Sequence, residues 1–404
     1  MKINLLIALL VLLSLKANSQ HWRHVPGKKV YADLKEALGA KNDVYNLELY
    51  ARELTLKDLK RIGEMRNLQY LALGKCWLTD LPDGIFKLPE LRTLVLNENE
   101  FNSIPAGIRF SKKLEYLSMQ NCEISIVPKE IGELTHLKEL LLPGNSIAIL
   151  PAEIGKLKKL VNLVLWGNML EYLPDEIGQL ENLGDLTIDR NQLKTLPQTI
   201  GGCSKLVSIN AERNHITSIP ASLRNLAKLE KLNLGYNNTY HFPSGLSTLK
   251  KLKKLHISGH SLREVPAFIG ELTGLEFLVI RFTSIQTIPD FICKLRRLQE
   301  IDLIGNKINA IPECMGELIN LTSLGLMKNQ ISTIPLSLFK ASAIEYLSFG
   351  DNPVTDIPAE IKDLKHLAGL NIQLTAIPPD KIEKIKQNLP KNCEVTIEEK
   401  QWGK

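Results

Sequence analysis

Residues 160–182 read LVNLVLWGNMLEYLPDEIGQLEN. The opening LxxLxL alternates apolar and variable residues, the period of a strand with one face buried. A turn follows at Asn168, then apolar residues at the eleventh and fourteenth places, Leu170 and Leu173, and Pro174. The tail spaces Ile177 and Leu180 three apart, as one short helical or 3-10 turn does. Proline suits the position just before such a turn, where its fixed φ and missing N–H do no harm.

Outward from this segment the same unit recurs. Proline falls every 23 residues at Pro82, Pro105, Pro128, Pro151, Pro174, Pro197, Pro220, Pro243, Pro266, Pro289, Pro312, Pro335 and Pro358, and a leucine or isoleucine beat runs in phase from Leu68 to Leu367. A fixed period of this length predicts a solenoid, in which each unit buries its apolar face only against its neighbours. The ninth place is asparagine at Asn99, Asn145, Asn168, Asn191, Asn214, Asn237, Asn306, Asn329 and Asn352. A buried amide there can satisfy turn backbone that would otherwise be orphaned. Cys76 and Cys122 take the same slot, and His260 and Thr283 depart from it.

The pattern LxxLxLxxNxLxxLPxxIGxLxx resembles the leucine-rich repeat family over residues 44–378, and its LPxxIGxL tail is similar to the 23-residue subclass found in many bacterial proteins. The resemblance implies an α/β solenoid: a right-handed horseshoe with a parallel sheet on the concave face and short helical or 3-10 turns on the convex face. It also implies a binding protein, since the bacterial members that act as ubiquitin ligases carry a large extra catalytic domain.

The ends read as caps. Tyr31, Leu34 and Leu38 are spaced for an amphipathic helix, so residues 20–43 are expected to be a tail and capping helix. Val44 to Leu59 reads as a degenerate first repeat. At the other end, residues 379–404 form the C-terminal cap and tail, with Ile382, Ile385 and Leu389 on one helical face and a last strand through Val395 and Ile397. Residues 1–19 carry Lys2, an apolar run from Ile3 to Leu15, then Ala17-Asn18-Ser19, the form of a secretory signal cleaved before Gln20 and too short to span a membrane. The expected product is secreted or lies in the cell envelope, without a transmembrane segment; a cytoplasmic protein is the alternative.

The formal charge is +6, mild for 404 residues. The run Lys250, Lys251, Lys253, Lys254 reads as a solvated edge, and no nucleic-acid partner is expected. Cys76 and Cys122 lie two repeats apart, roughly 10 Å, and cannot pair. Cys203, Cys293 and Cys314 fall in convex turns; only Cys293 and Cys314 are in adjacent ones, and spacing alone leaves their bonding open. No phosphate loop, His-Glu-x-x-His or Cys-x-x-Cys motif is present, and His256 and His260 should diverge. Neither an enzyme, a cofactor nor a metal is expected.

The sheet face is where partner chemistry is expected. Positions two, three, five, seven and eight of each repeat should point outward. They place Trp166, Asp189, Arg190, Asn210, Glu212, Arg213, Asn233, Tyr236, His256, Arg281 and Phe282 on the concave face. Asp189 and Glu212 should lie abreast, with Arg190 and Arg213 offsetting the repulsion by cross-pairing. Aromatic and arginine side chains of this kind are what interface hot spots are made of, which points to another protein as partner. Two alternatives belong beside it. A glycan would stack on Trp166 and Tyr236 with Asp189, Asn210 and Asn233 as hydrogen-bond partners, and an intracellular scaffold of the Ras-binding type would require the leader to remain uncleaved.

Overall fold

A computed structural model describes residues 24–259 and 261–397. The leader, its cleavage point and His260 lie outside the described residues. The chain divides into two compact units, one running to Leu170 with Glu176–Leu183, the other comprising Glu171–Asp175 and Gly184 onward.

The first unit carries parallel strands in chain order: Val30–Tyr31, Asn46–Tyr50, Tyr70–Gly74, Thr93–Val95, Tyr116–Ser118, Glu139–Leu141 and Asn162–Val164. From Tyr70 on the register is one repeat, Tyr70 opposite Thr93 and Thr93 opposite Tyr116, whereas Asn46 faces Tyr70 with one residue inserted. In the second unit the parallel strands are Asp185–Thr187, Ser208–Asn210, Lys231–Asn233, Lys254–His256, Phe277–Val279, Glu300–Asp302, Ser323–Gly325, Tyr346–Ser348, Gly369–Asn371 and Glu394–Thr396.

One repeat shows what holds the rest. Leu206, Ile209, Ala211, Ile216, Leu223 and Leu226 are essentially unexposed. Each leucine or isoleucine among them contributes about 1.5–3 kcal/mol by leaving water. After the strand, Pro220 sits in extended backbone (φ −65°) and the 3-10 turn Ala221–Asn225 follows, closed by the Leu223 N–H on the Pro220 carbonyl at 3.1 Å. The turn side is therefore 3-10, as the three-residue apolar spacing predicts.

The asparagine ladder closes the interior polar accounts. The Asn214 amide donates to the Ile188 and Ala211 carbonyls, both at 3.0 Å, and its oxygen accepts the Leu193 N–H at 3.0 Å. Asn99, Asn145, Asn237, Asn329 and Asn352 repeat the pattern of two carbonyls and a neighbouring N–H. Cys122, in the same slot, makes only weak thiol contacts to Leu96 and Gln120 carbonyls. After Cys76 and Cys122 the next residue, Trp77 or Glu123, takes left-handed backbone (φ 53° and 61°). Where Thr283 stands, its hydroxyl bonds the Asn306 side chain instead.

The caps correct the sequence reading in one place. Tyr31 belongs to the strand Val30–Tyr31, not to the capping helix, which is the short Leu34–Gly39 with Ala37 as its buried residue. A two-residue strand is too short to show an alternation in sequence, so Tyr31 reads as the start of a helical face. At the other end the helix Pro379–Gln387 buries Ile385, and the strand Glu394–Thr396 follows. Cys293 and Cys314 are joined by a disulfide between adjacent turns, with Cα atoms 5.8 Å apart, while Cys76 and Cys122 are buried free thiols and Cys203 is buried.

Candidate functional site

Strand alternation alone cannot put positions seven and eight on the same face. The backbone resolves this at position eight. Arg190, Arg213, Tyr236, Phe282 and Lys328 all adopt φ between 54° and 57°, and Gly259 and Gly305 take φ 73° at the same place. The left-handed residue lies three residues past the end of the strand and turns its side chain to the sheet face beside position seven. Left-handed backbone is unfavourable for bulky residues and persists where surrounding structure over-determines it.

The aromatic rings at this position use glycine as their bed. A Cβ on Gly259 would stand 2.8 Å from the Tyr236 ring, and one on Gly305 would collide with the Phe282 ring. Tyr236 also receives the Arg213 guanidinium over its face at 5.3 Å and meets the His256 ring edge-on at 6.0 Å between centroids. Phe282 remains half exposed.

The polar residues of the second unit pair along a diagonal, position seven with position five of the following repeat. The Asn210 amide donates to Asp189 Oδ1 at 2.9 Å, and the Asn233 amide to Glu212 Oε2 at 2.9 Å. Three repeats on, the Arg281 guanidinium is ion-paired with the buried carboxylate of Asp302. Position five also caps backbone two residues along: Asn210 accepts the Glu212 N–H, Asn233 the Gly235 N–H and Asp302 the Ile304 N–H. Between these pairs, His256 Nε2 lies 2.7 Å from Ser258 Oγ, which accepts the Arg281 N–H at 2.8 Å. Ser258 is fully buried although it belongs to the outward row.

The expected Arg cross-pairing is thus mostly replaced by amide donation. Arg213 reaches Glu212 of its own repeat at 3.5 Å, a half-exposed contact of small value. Burial is the main reason the Asp189 carboxyl is pushed up to about 6, with the Glu212 charge adding to it and Arg190 and Arg213 opposing. Half-burial beside a second carboxylate is enough to tune a carboxyl this far on a sheet face. Burial pushes the His256 imidazole down, and Asp302 holds the Arg281 guanidinium up against its burial.

All second-unit residues of the sequence-based set fall on this face, with Asp189, Asn210, Glu212 and Asn233 in one network and Arg213, Tyr236 and His256 in contact. Trp166 belongs to the first unit, about two-fifths exposed and two residues past the strand Asn162–Val164. Sequence reasoning missed Asp302 and Ser258 as polar anchors. Asp302 was findable, because the spacing of 21 residues from position seven to the next position five recurs in all three pairs.

Comparison with known proteins agrees with this construction. Profiles described as leucine-rich repeat region and leucine rich repeat match residues 163–265, and 66–124 with 273–331. No curated protein sequence matches the chain. Among solved structures, a leucine-rich-repeat protein of Leptospira interrogans is similar at 33% identity and TM-score 0.78, over 91% of this chain and 99% of that one. An internalin of Listeria monocytogenes is similar at 19% identity and TM-score 0.65, covering 83% and 91%. The Arabidopsis receptor kinase HAESA, solved with a peptide hormone and a co-receptor, is similar at 22% and TM-score 0.63, covering 87% and 65%. The last two likenesses are of fold. The chain belongs to the leucine-rich-repeat family.

Proposed function

We propose that this chain is an exported, non-catalytic binding protein that holds another protein on the sheet face of its second unit. The observation that carries the reading is the row Arg213, Tyr236 and Phe282, side chains held on left-handed backbone with the aromatic rings bedded on glycine. Such groups have surrendered their freedom before a partner arrives, which lowers the entropic cost of binding. Tyrosine, phenylalanine and arginine are enriched at interfaces, and tyrosine and arginine carry much of the hot-spot energy. Peptide recognition by the similarly folded HAESA supports a protein partner.

Export is supported by the Cys293–Cys314 disulfide, since cytosolic thiols are kept reduced. Among the described residues no helix is long and apolar enough to cross a membrane. A glycan on this face is disfavoured because the Asn210 and Asn233 amides each already give one N–H to Asp189 or Glu212 and their oxygens each accept a backbone N–H.

The test is capture from envelope and culture extracts, using the native chain and a variant carrying Arg213→Ala, Tyr236→Ala and Phe282→Ala. The expected result is a protein retained by the native bait and lost by the folded variant. Equal capture by both baits contradicts the assignment.

A further inference from the structure

Along the flank formed by the strand entrances, charges one repeat apart pair as opposites. Arg92 and Lys138 both hold Glu115, at 2.8 and 2.6 Å; Glu90 holds Lys113 at 2.7 Å; Glu230 holds Lys253 at 2.9 Å. This is the expected economy of a repeat solenoid, in which opposite charges abreast stabilise and like charges abreast do not.

Two adjacent repeats break the rule. Residues 228–254 contain six lysines and a single acidic residue, Glu230. Lys231 and Lys254 are directly opposite each other in register, and Lys228 and Lys251 are likewise one repeat apart, so like stands on like. All four are exposed, and among the described residues none forms an ion pair. Glu230 is committed to Lys253, and Lys250 reaches Glu271 at 3.5 Å. The four lysines thus fall two by two on adjacent repeats, whose strands lie about 4.8 Å apart. The nearest carboxylates beyond it, Asp185 in an earlier repeat and Glu276 and Glu300 in later ones, bound the patch on both sides.

We infer that Lys228, Lys231, Lys251 and Lys254 form a binding site for a linear anionic polysaccharide at the strand-entrance edge of the sheet, two residues before Asn233 and His256 on the same strands. A chain with charges at regular short intervals can lie across stacked repeats and supply the counter-charge that the protein withholds. Base-stacking platforms, which single-stranded nucleic acid requires, are missing from the array: the ring beside it, Phe277, has the Lys254 ammonium over its face at 4.2 Å. An aromatic anchor of the kind that dominates protein interfaces is likewise missing from the four positions.

The experiment measures binding of polygalacturonate to the native chain, to Lys228→Gln/Lys231→Gln/Lys251→Gln/Lys254→Gln, and to a control of equal charge change, Lys129→Gln/Lys156→Gln/Lys159→Gln/Lys362→Gln. At about 50 mM salt the first variant is expected to lose at least about tenfold in affinity while the control stays within about twofold, and the native affinity should fall with log salt at a slope of about −3. Relief of like-charge contact leaves the first variant folded, with an unchanged or higher Tm. Equal losses in variant and control, no binding by the native chain, or equally tight capture of single-stranded DNA or anionic vesicles through the same four lysines would each overturn the assignment.

Discussion

At the central strand position the first unit carries Ala72, Val95, Ser118, Leu141 and Val164, and Ala72, Ser118 and Val164 are buried. The second unit carries Thr187, Asn210, Asn233, His256, Val279 and Asp302 at the same place. Beneath the two faces the leucine positions, the prolines and the 3-10 turns are alike. The repeat interior fixes architecture wherever it occurs, while the face is free to differ. In the second unit that freedom is used for polar pairs set one diagonal apart and for arginine and aromatic side chains on left-handed backbone. In the first it is used mostly for small or apolar groups.

The comparison breaks most readily at what the units share. Asn214→Ala strands the buried Leu193 N–H, while the Ile188 carbonyl keeps the Asn191 amide, and should cost about 3 kcal/mol in denaturant unfolding. Cys122→Ala, at the equivalent place in the first unit, removes only weak thiol contacts and should cost about 1 kcal/mol. Equal costs would mean that the ladder does not carry the turns.

Asp189 sharpens the contrast through pH. Its carboxyl titrates at about 6 in the fold, against an ordinary 3.8. Between those values the folded form keeps a proton that the unfolded chain has lost, so stability from this group is full below pH about 4 and is lost as pH rises to about 6. Asp189→Asn removes the ionised carboxyl and should raise stability by about 2 kcal/mol at pH 7 and leave it unchanged near pH 3.5. A thermal-melt series across that range is the check; a pH-independent effect would contradict the burial argument.

The smallest effect separates strain from collision. Gly167 in the first unit and Gly305 in the second share left-handed backbone (φ 67° and 73°). An added methyl at Gly167 meets nothing nearer than 3.6 Å, whereas at Gly305 it strikes the Phe282 ring. Gly167→Ala should therefore cost about 1 kcal/mol, and Gly305→Ala about 2 kcal/mol together with a shift in the Phe282 ring resonances by NMR.

Much of this was legible in the residues themselves. A period of 23 placed the strands, the proline before each turn and the asparagine ladder, because each repeat solves the same packing problem. The outward rows were legible too, down to the adjacency of Asp189 and Glu212. The left-handed backbone at position eight was not, since Arg190, Arg213, Tyr236 and Phe282 carry none of the glycine signal that marks such backbone at Gly259 and Gly305. The diagonal pairing of Arg281 with Asp302 was reachable only through the 21-residue offset between rows, which follows from strand register rather than from local pattern. The Cys293–Cys314 bond needed the actual approach of two turns.

The central claim is that the partner sits on the sheet face of the second unit, and hydroxyl-radical footprinting of the captured complex tests it within that unit. Phe282 and Tyr240 are both well exposed in the free chain, the first on the sheet face and the second in the loop before Pro243. The account predicts that partner binding protects Phe282 and Tyr236 from oxidation and leaves Tyr240 unchanged. Protection of Tyr240 with Phe282 still oxidised would place the partner elsewhere and contradict it.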